Sequence, residues 1–318
     1  MGWLLPAVML IGGLVLLATA ADRFVLAAAR LSKLWGVSPI LIGALVVGMG
    51  TSSPELLVSV LAALSGEVDL AVGNAVGSNV ANVTLVLGAT AVLVPLTGNL
   101  RVLQREGILM FVAVSGFAFA IYDLRLERYE GIGLLCSMLF AAILVVRWAR
   151  ADQRAGLAMP DEDDTEISEI SWAKEVGMGL LALGLTLLGA ELLVRGGTTL
   201  ADQIGVDSAF VGLTLVAVGT SLPELATSIA GVRRGEHDMV IGNVVGSNLF
   251  NALAVAGTAG TLGPGPIDPG FRLTSLVMVG CAALAGLLAF TGRELVRWEG
   301  ILLLAGFGGF VWLSYIGG

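Results

Sequence analysis

Two stretches decide how this chain folds: Val47-Gly48-Met49-Gly50-Thr51-Ser52-Ser53-Pro54-Glu55-Leu56 and Val216-Ala217-Val218-Gly219-Thr220-Ser221-Leu222-Pro223-Glu224-Leu225. They stand 169 positions apart, and each sets a proline and a glutamate inside a long apolar run. Three more blocks keep the same offset without a gap. Gly73, Asn74, Val76, Gly77, Ser78, Asn79 and Asn82 meet Gly242, Asn243, Val245, Gly246, Ser247, Asn248 and Asn251. Gly36-Val37 meets Gly205-Val206, and Arg128, Glu130 and Gly131 meet Arg297, Glu299 and Gly300. Chance does not align four blocks in one register, so the chain carries the same unit twice.

The composition places both units in a membrane. Of 318 residues, 56% are hydrophobic and 13% charged, with a mean hydropathy of +0.92. A soluble chain carries about 25% charged residues. The 44 glycines follow no fixed period and accompany only 9 prolines. That excludes collagen and low-complexity disorder and suits closely packed membrane helices. Crossing hydrocarbon takes roughly 20 residues. Ten apolar runs qualify: 4–30, 38–64, 70–95, 103–122, 130–148, 175–200, 208–232, 239–262, 272–291 and 296–316. Met1 to Ala20 lacks the basic start of a secretory leader and reads as part of the first span.

Five spans per repeat is an odd number, so the second repeat enters the bilayer upside down. The expected fold is all-α and polytopic, ten transmembrane helices in two inverted five-helix repeats. Residues 1–150 form the first half, 151–173 an acidic cytoplasmic linker, and 174–318 the second half. Loops after the odd-numbered spans hold thirteen Lys and Arg; the other side holds only Arg125, Arg128, Arg195 and Arg272. Basic loops stay inside, which puts both termini outside a plasma membrane of the bacterial or archaeal inner-membrane type. The linker concentrates Asp161, Glu162, Asp163, Asp164, Glu166 and Glu169. It reads as a solvated connector, without the ligand spacing of a calcium loop.

Several chemistries are excluded. The two cysteines, Cys136 and Cys281, lie in apolar runs and the one histidine, His237, in a polar turn, which leaves no disulfide framework, zinc cage or histidine catalysis. The net charge of −8 is spread in short clusters between apolar runs and does not point to nucleic acid.

What remains is ion chemistry at mid-membrane. Pro54 has no N–H and its ring displaces the carbonyl four residues earlier, at Gly50, so oxygens around Val47 to Thr51 lose helical partners. Hydrocarbon cannot satisfy them; protein, water or ions must. Glu55 and Glu224 place carboxylates beside those oxygens, and Thr51, Ser52, Thr220 and Ser221 add hydroxyls. An all-oxygen set with carboxylates suits hard cations. An acid at that depth is costly and functional by default. Spans 2, 3, 7 and 8 are the ones interrupted by polar and small residues, and such matched breaks point to a site at the repeat interface. Ser78 and Asn82 share one helix face, as do Ser247 and Asn251, and read as ligands. Asn74, Asn79, Asn243 and Asn248 read as hydrogen-bonding glue between helices.

These blocks closely resemble the alpha-repeats of the calcium/cation antiporter superfamily, over essentially the whole chain, and the compact size resembles its prokaryotic sodium/calcium exchangers. The resemblance implies an exchanger rather than an enzyme, with no cofactor and with calcium and sodium as cargo. It implies a diamond of four sites around Glu55 and Glu224. Calcium would be held by these two and the backbone carbonyls of Thr51 and Thr220. Sodium sites would draw on the carbonyls of Gly48 and Ala217 and on Ser52, Ser221, Ser78 and Ser247, and Asn82 and Asn251 would complete the centre. It also implies three sodium ions per calcium, and first and sixth helices that slide to switch access. Gly48 stands where the sister repeat has Ala217, which suggests a looser helix break. Asn rather than Asp at both 82 and 251 weakens the case for co-transported potassium. The expected partners are the two ions and the lipid bilayer, with no nucleic acid and a monomer as the working unit.

A proton-driven calcium or other divalent-cation antiporter is the alternative, since buried glutamates also carry protons. A channel fits less well, because the chain has no filter-like ring of carbonyls or charges. A membrane enzyme lacks a nucleophile–base pair near the glutamates.

Overall fold

In a computed structural model of the protein, residues 3–97, 100–154, 171–203, 217–292 and 294–317 are described. The acidic run from Asp161 to Glu169, the Gly205-Val206 block and the start of the seventh span lie outside the described residues. The first half holds α1 (Leu4–Trp35), α2 (Pro39–Thr51), α3 (Ser53–Leu64), α4 (Val68–Leu93), α5 (Leu100–Ala120) and α6 (Arg128–Arg154). The second holds α7 (Trp172–Gln203), α8 (Ala217–Thr220), α9 (Leu222–Arg233), α10 (His237–Leu262), α11 (Phe271–Gly292) and α12 (Arg297–Gly317). With α2–α3 taken as the second span and α8–α9 as the described part of the seventh, the helices group into ten segments in the order of the ten expected spans.

Local sequence explains where these helices stop. Gly36 ends α1 in the left-handed region at φ +59°, returning its N–H to Lys33 and Ser32 carbonyls. Gly66 and Gly235, one repeat apart, take φ +79° and +76° in the turns before α4 and α10. A side chain would strain either turn. The Ser38 side chain caps the next helix by accepting from Leu41 N–H, with Pro39 at its first position.

The predicted break in the second span is present, a bend of 44° between α2 and α3 at Ser52. The third and eighth spans are not broken. Each runs through as one helix, interrupted only by a single π-helical stretch, Asn82–Val86 in α4 and Phe250–Val255 in α10. Neither α4 nor α10 has the proline that forces a break, and a widened turn absorbs the irregularity with the backbone still bonded.

The two halves interlock. Four two-residue strands, β1 (Leu96–Thr97), β2 (Arg125–Leu126), β3 (Gly265–Pro266) and β4 (Glu294–Leu295), pair only across the halves. Leu96 faces Leu295 in one ribbon and Leu126 faces Gly265 in the other; a shift of 169 turns one pairing into the other. Glycines make the matching helix contacts. A Cβ on Gly131 of α6 would lie 2.7 Å from the Gly257 carbonyl of α10, and one on Gly300 of α12 would lie 2.7 Å from the Gly88 carbonyl of α4.

Helices α1 and α7 pack along their length, with Gly13 against Gly189 and Pro6 against Gly196. One index rises as the other falls, so the two helices are antiparallel, as inversion requires. Their other end is held by Glu175, which is buried and accepts from Arg23 and Arg30, each at 3.0 Å. Glu175→Gln would leave two guanidiniums side by side with a weaker acceptor. It is expected to lower the thermal unfolding midpoint by about 2–4 °C, with calcium affinity unchanged; a scanning fluorescence melt with and without calcium checks both.

Candidate ion site at the repeat interface

The bend at Ser52 and its counterpart at Ser221 start two short helices, α3 and α9, each with proline in the first turn and a glutamate beside it. Glu55 and Glu224 are therefore carried at helix N-termini, where backbone N–H groups favour negative charge. Both side chains are buried, as are Thr51, Ser52, Ser221, Ser78, Ser247, Asn82 and Asn251. Thr220 is half-buried in the last turn of α8, whose backbone begins at Ala217.

These side chains meet across the halves. Ser52 Oγ donates to Glu224 Oε1 at 2.8 Å, and Ser247 Oγ donates to the Gly48 carbonyl at 3.2 Å. The oxygens freed by the break are partly covered from nearby: Thr51 Oγ1 donates to Val47 O at 2.9 Å, and Ser53 Oγ to Gly50 O at 2.7 Å. Gly48 has a different reason from the one read in the sequence. It lies in a π-helical turn, Gly43–Gly48, and a Cβ there would sit 2.8 Å from Ser247 N and 2.9 Å from Asn243 O. Glycine here allows α10 to touch the break.

Five glutamates are buried among the described residues: 55, 106, 175, 224 and 299. Burial alone thus does not single out the central pair. Partners do. Glu175 has two arginines, Glu106 has Arg105 at 3.5 Å, and Glu299 caps its own helix by accepting from Val296 N–H at 2.9 Å. Among the described residues, neither oxygen of Glu55 has a hydrogen-bond partner, and Glu224 Oε2 has none. The Ser221 hydroxyl and both amide atoms of Asn82 and of Asn251 are likewise buried and unpartnered. A buried polar group without a partner is costly, and so many on the helices that meet here are chemistry suited to a polar guest.

The remaining asparagines behave differently. Asn74 and Asn243 bridge helices, reaching Ser59 and Ser228 hydroxyls at 2.9 Å each. Asn79 and Asn248 do not bridge; each donates to the carbonyl four residues back in its own helix, at 2.7 Å.

The model of the family described as sodium/calcium exchanger protein matches residues 5–149 and 174–316 of this chain. The chain belongs to the sodium/calcium exchanger family. The sodium/calcium exchanger MaX1 of Methanosarcina acetivorans is 32% identical over 327 residues, covering 92% of this chain and 93% of its own. Inner membrane protein YrbG of Escherichia coli K12 is 38% identical over 319 residues, covering 98% and 97%. A solved structure of the sodium-calcium exchanger NCX_Mj superimposes with a TM-score of 0.83 at 30% identity, over 96% of this chain and 97% of that one. The exchanger therefore has the ten-span, inverted-repeat membrane fold expected from its hydropathy and offset. It is a multi-pass inner-membrane transporter, not an enzyme, and needs no catalytic cofactor.

Proposed function

We propose that this exchanger is a secondary active antiporter that moves sodium against calcium across the membrane by alternating access, with the unpartnered pocket between Glu55 and Glu224 as its ion site. The observation that carries this is the pair of buried carboxylates, three of whose four oxygens have no hydrogen-bond partner among the described residues, supplied by two oppositely oriented repeats. Two negative charges in a low-dielectric site must be compensated. One divalent ion or two or more monovalent ions can do so. Neither cargo can fill the pocket while the other holds it, and that competition is exchange.

In this reading calcium binds Glu55 and Glu224 with the carbonyls of Thr51 and Thr220. Sodium binds through the carbonyls of Gly48 and Ala217 and through Ser52, Ser221, Ser78 and Ser247. Asn82 and Asn251 close the centre as neutral oxygen ligands, so the pocket keeps two formal charges and no third carboxylate. Three sodium ions per calcium then move one net positive charge. The functional halves are 1–150 and 174–318, joined by 151–173; both termini are outside, and a monomer suffices because both carboxylates come from one chain.

Sodium-loaded proteoliposomes are expected to take up calcium. An inside-positive potential should accelerate the uptake, since the net charge leaves the vesicle; 100 mV acting on one charge is worth about 2.3 kcal/mol. A pH gradient without sodium should drive none. Uptake that follows the pH gradient and ignores sodium would establish the proton-driven alternative instead.

A further inference from the structure

The two repeats hold their glutamates by different means. In the first, Asn74 Nδ2 donates to the main-chain oxygen of Glu55 at 2.8 Å and to Ser59 Oγ at 2.9 Å. In the second, the matching amide of Asn243 reaches the Glu224 main-chain oxygen only at 3.5 Å, the outer limit of a hydrogen bond. That oxygen also lies 3.1 Å from the Thr227 hydroxyl of its own helix, which shares its proton between Glu224 O and the Pro223 carbonyl at 2.8 Å. The residue one repeat before Thr227 is Val58, which has no donor.

We infer that Asn74 is a positioning residue for Glu55, setting where its carboxylate stands relative to Ser78 and Asn82, and that the second repeat assigns much of this task to Thr227. Asn74 lies on α4, four and eight residues before Ser78 and Asn82, on the same helical face. Its bond to Glu55 O therefore fixes one ligand-bearing helix against the other at the residue that carries the charge. Glu224 is fixed from within α9, so its register against α10 depends less on Asn243. Asn243 keeps its grip on Ser228, which holds the helices together without touching the glutamate's own backbone at short range.

The inference rests on the proposed ion site, so Glu55→Gln is measured alongside. In proteoliposomes with a sodium gradient, Asn74→Ala is expected to raise the calcium KM about tenfold with the maximal rate within about twofold of wild type; Asn243→Ala should raise KM by no more than about threefold. Adding Val58→Thr to Asn74→Ala should return at least half of the lost affinity, because threonine there supplies the hydroxyl that Thr227 supplies in the other half. Ser59→Ala removes Asn74's other partner but leaves its bond to Glu55, and should keep KM within about twofold. A purely structural role for Asn74 predicts the opposite: Ser59→Ala as damaging as Asn74→Ala, and no rescue by threonine. Those results, or a normal KM in Asn74→Ala, overturn the inference. If Asn74→Ala does not accumulate in the membrane, Asn74→Ala/Val58→Thr is compared with Asn74→Ala/Val58→Ala. Accumulation and calcium binding returning only with threonine support the inference; neither returning overturns it. Normal transport by Glu55→Gln would overturn the ion-site reading itself, whereas loss in that variant with a normal Asn74→Ala refutes only the positioning role.

Discussion

Glu55→Gln is expected to abolish sodium-driven calcium uptake, lowering the rate at least about a hundredfold, and Glu224→Gln to do the same. The side chains keep their size, so the effect isolates charge. A calcium ion stripped of water in the pocket faces two carboxylates in the wild type and one in either variant. The uncompensated charge then sits in a low-dielectric interior, where removing one member of a buried pair costs roughly 3–5 kcal/mol. That range corresponds to well over a hundredfold in affinity. The amide introduced by Glu224→Gln would still accept from Ser52, which donates to Oε1 in the wild type, so the contact between halves survives that change. The measurement is uptake of radiolabelled calcium into sodium-loaded proteoliposomes, with calorimetric calcium binding on the same preparations. Uptake near the wild-type rate in both variants would remove the central pocket from the mechanism. Loss in only one would mean that the two carboxylates do not act as a pair.

The second large effect is expected at Gly246. Gly77 and Gly246 occupy the same place in the repeated Gly-Ser-Asn block. A Cβ at Gly246 would lie 2.1 Å from the Ala44 carbonyl and 2.5 Å from its Cα. Both obstacles are backbone and cannot rotate away, so α2 and α10 would have to separate. That separation would pull Ser247, the next residue, from its contact with Gly48. Gly246→Ala should therefore fail to accumulate as folded protein or lose at least about nine-tenths of its transport, since overpacking against backbone costs about 1–3 kcal/mol or more. Size-exclusion profiles and uptake rates of the variant decide the matter; wild-type accumulation and transport would show that α2 and α10 can part without loss of the site.

Much of this protein was legible before any coordinate. The ten spans, the inversion of the halves and the place of the carboxylates follow from properties that act residue by residue along the chain. Transfer of apolar side chains into lipid sets the spans. An odd number of spans per repeat reverses the second one. The missing N–H of Pro54 and Pro223 fixes where the helices must turn. Such causes are one-dimensional, and one-dimensional patterns record them.

Other features depended on which distant segments came together. Asn74 and Asn82 are both asparagines in one apolar helix, yet the first is hydrogen-bonded to α3 and the second has no side-chain partner among the described residues. The proline-free spans α4 and α10 carry as many polar residues as the broken ones, and they stay helical through a π turn. Gly48 read as a weakness in the helix and is a contact surface for α10. The repeats also differ where their motifs agree: Ser52 binds Glu224, while the Ser221 hydroxyl has no hydrogen-bond partner among the described residues. A duplicated sequence cannot announce such differences. Whether a donor finds an acceptor depends on a separation of a few ångströms between groups more than a hundred residues apart, and only the packing of the two halves sets that separation.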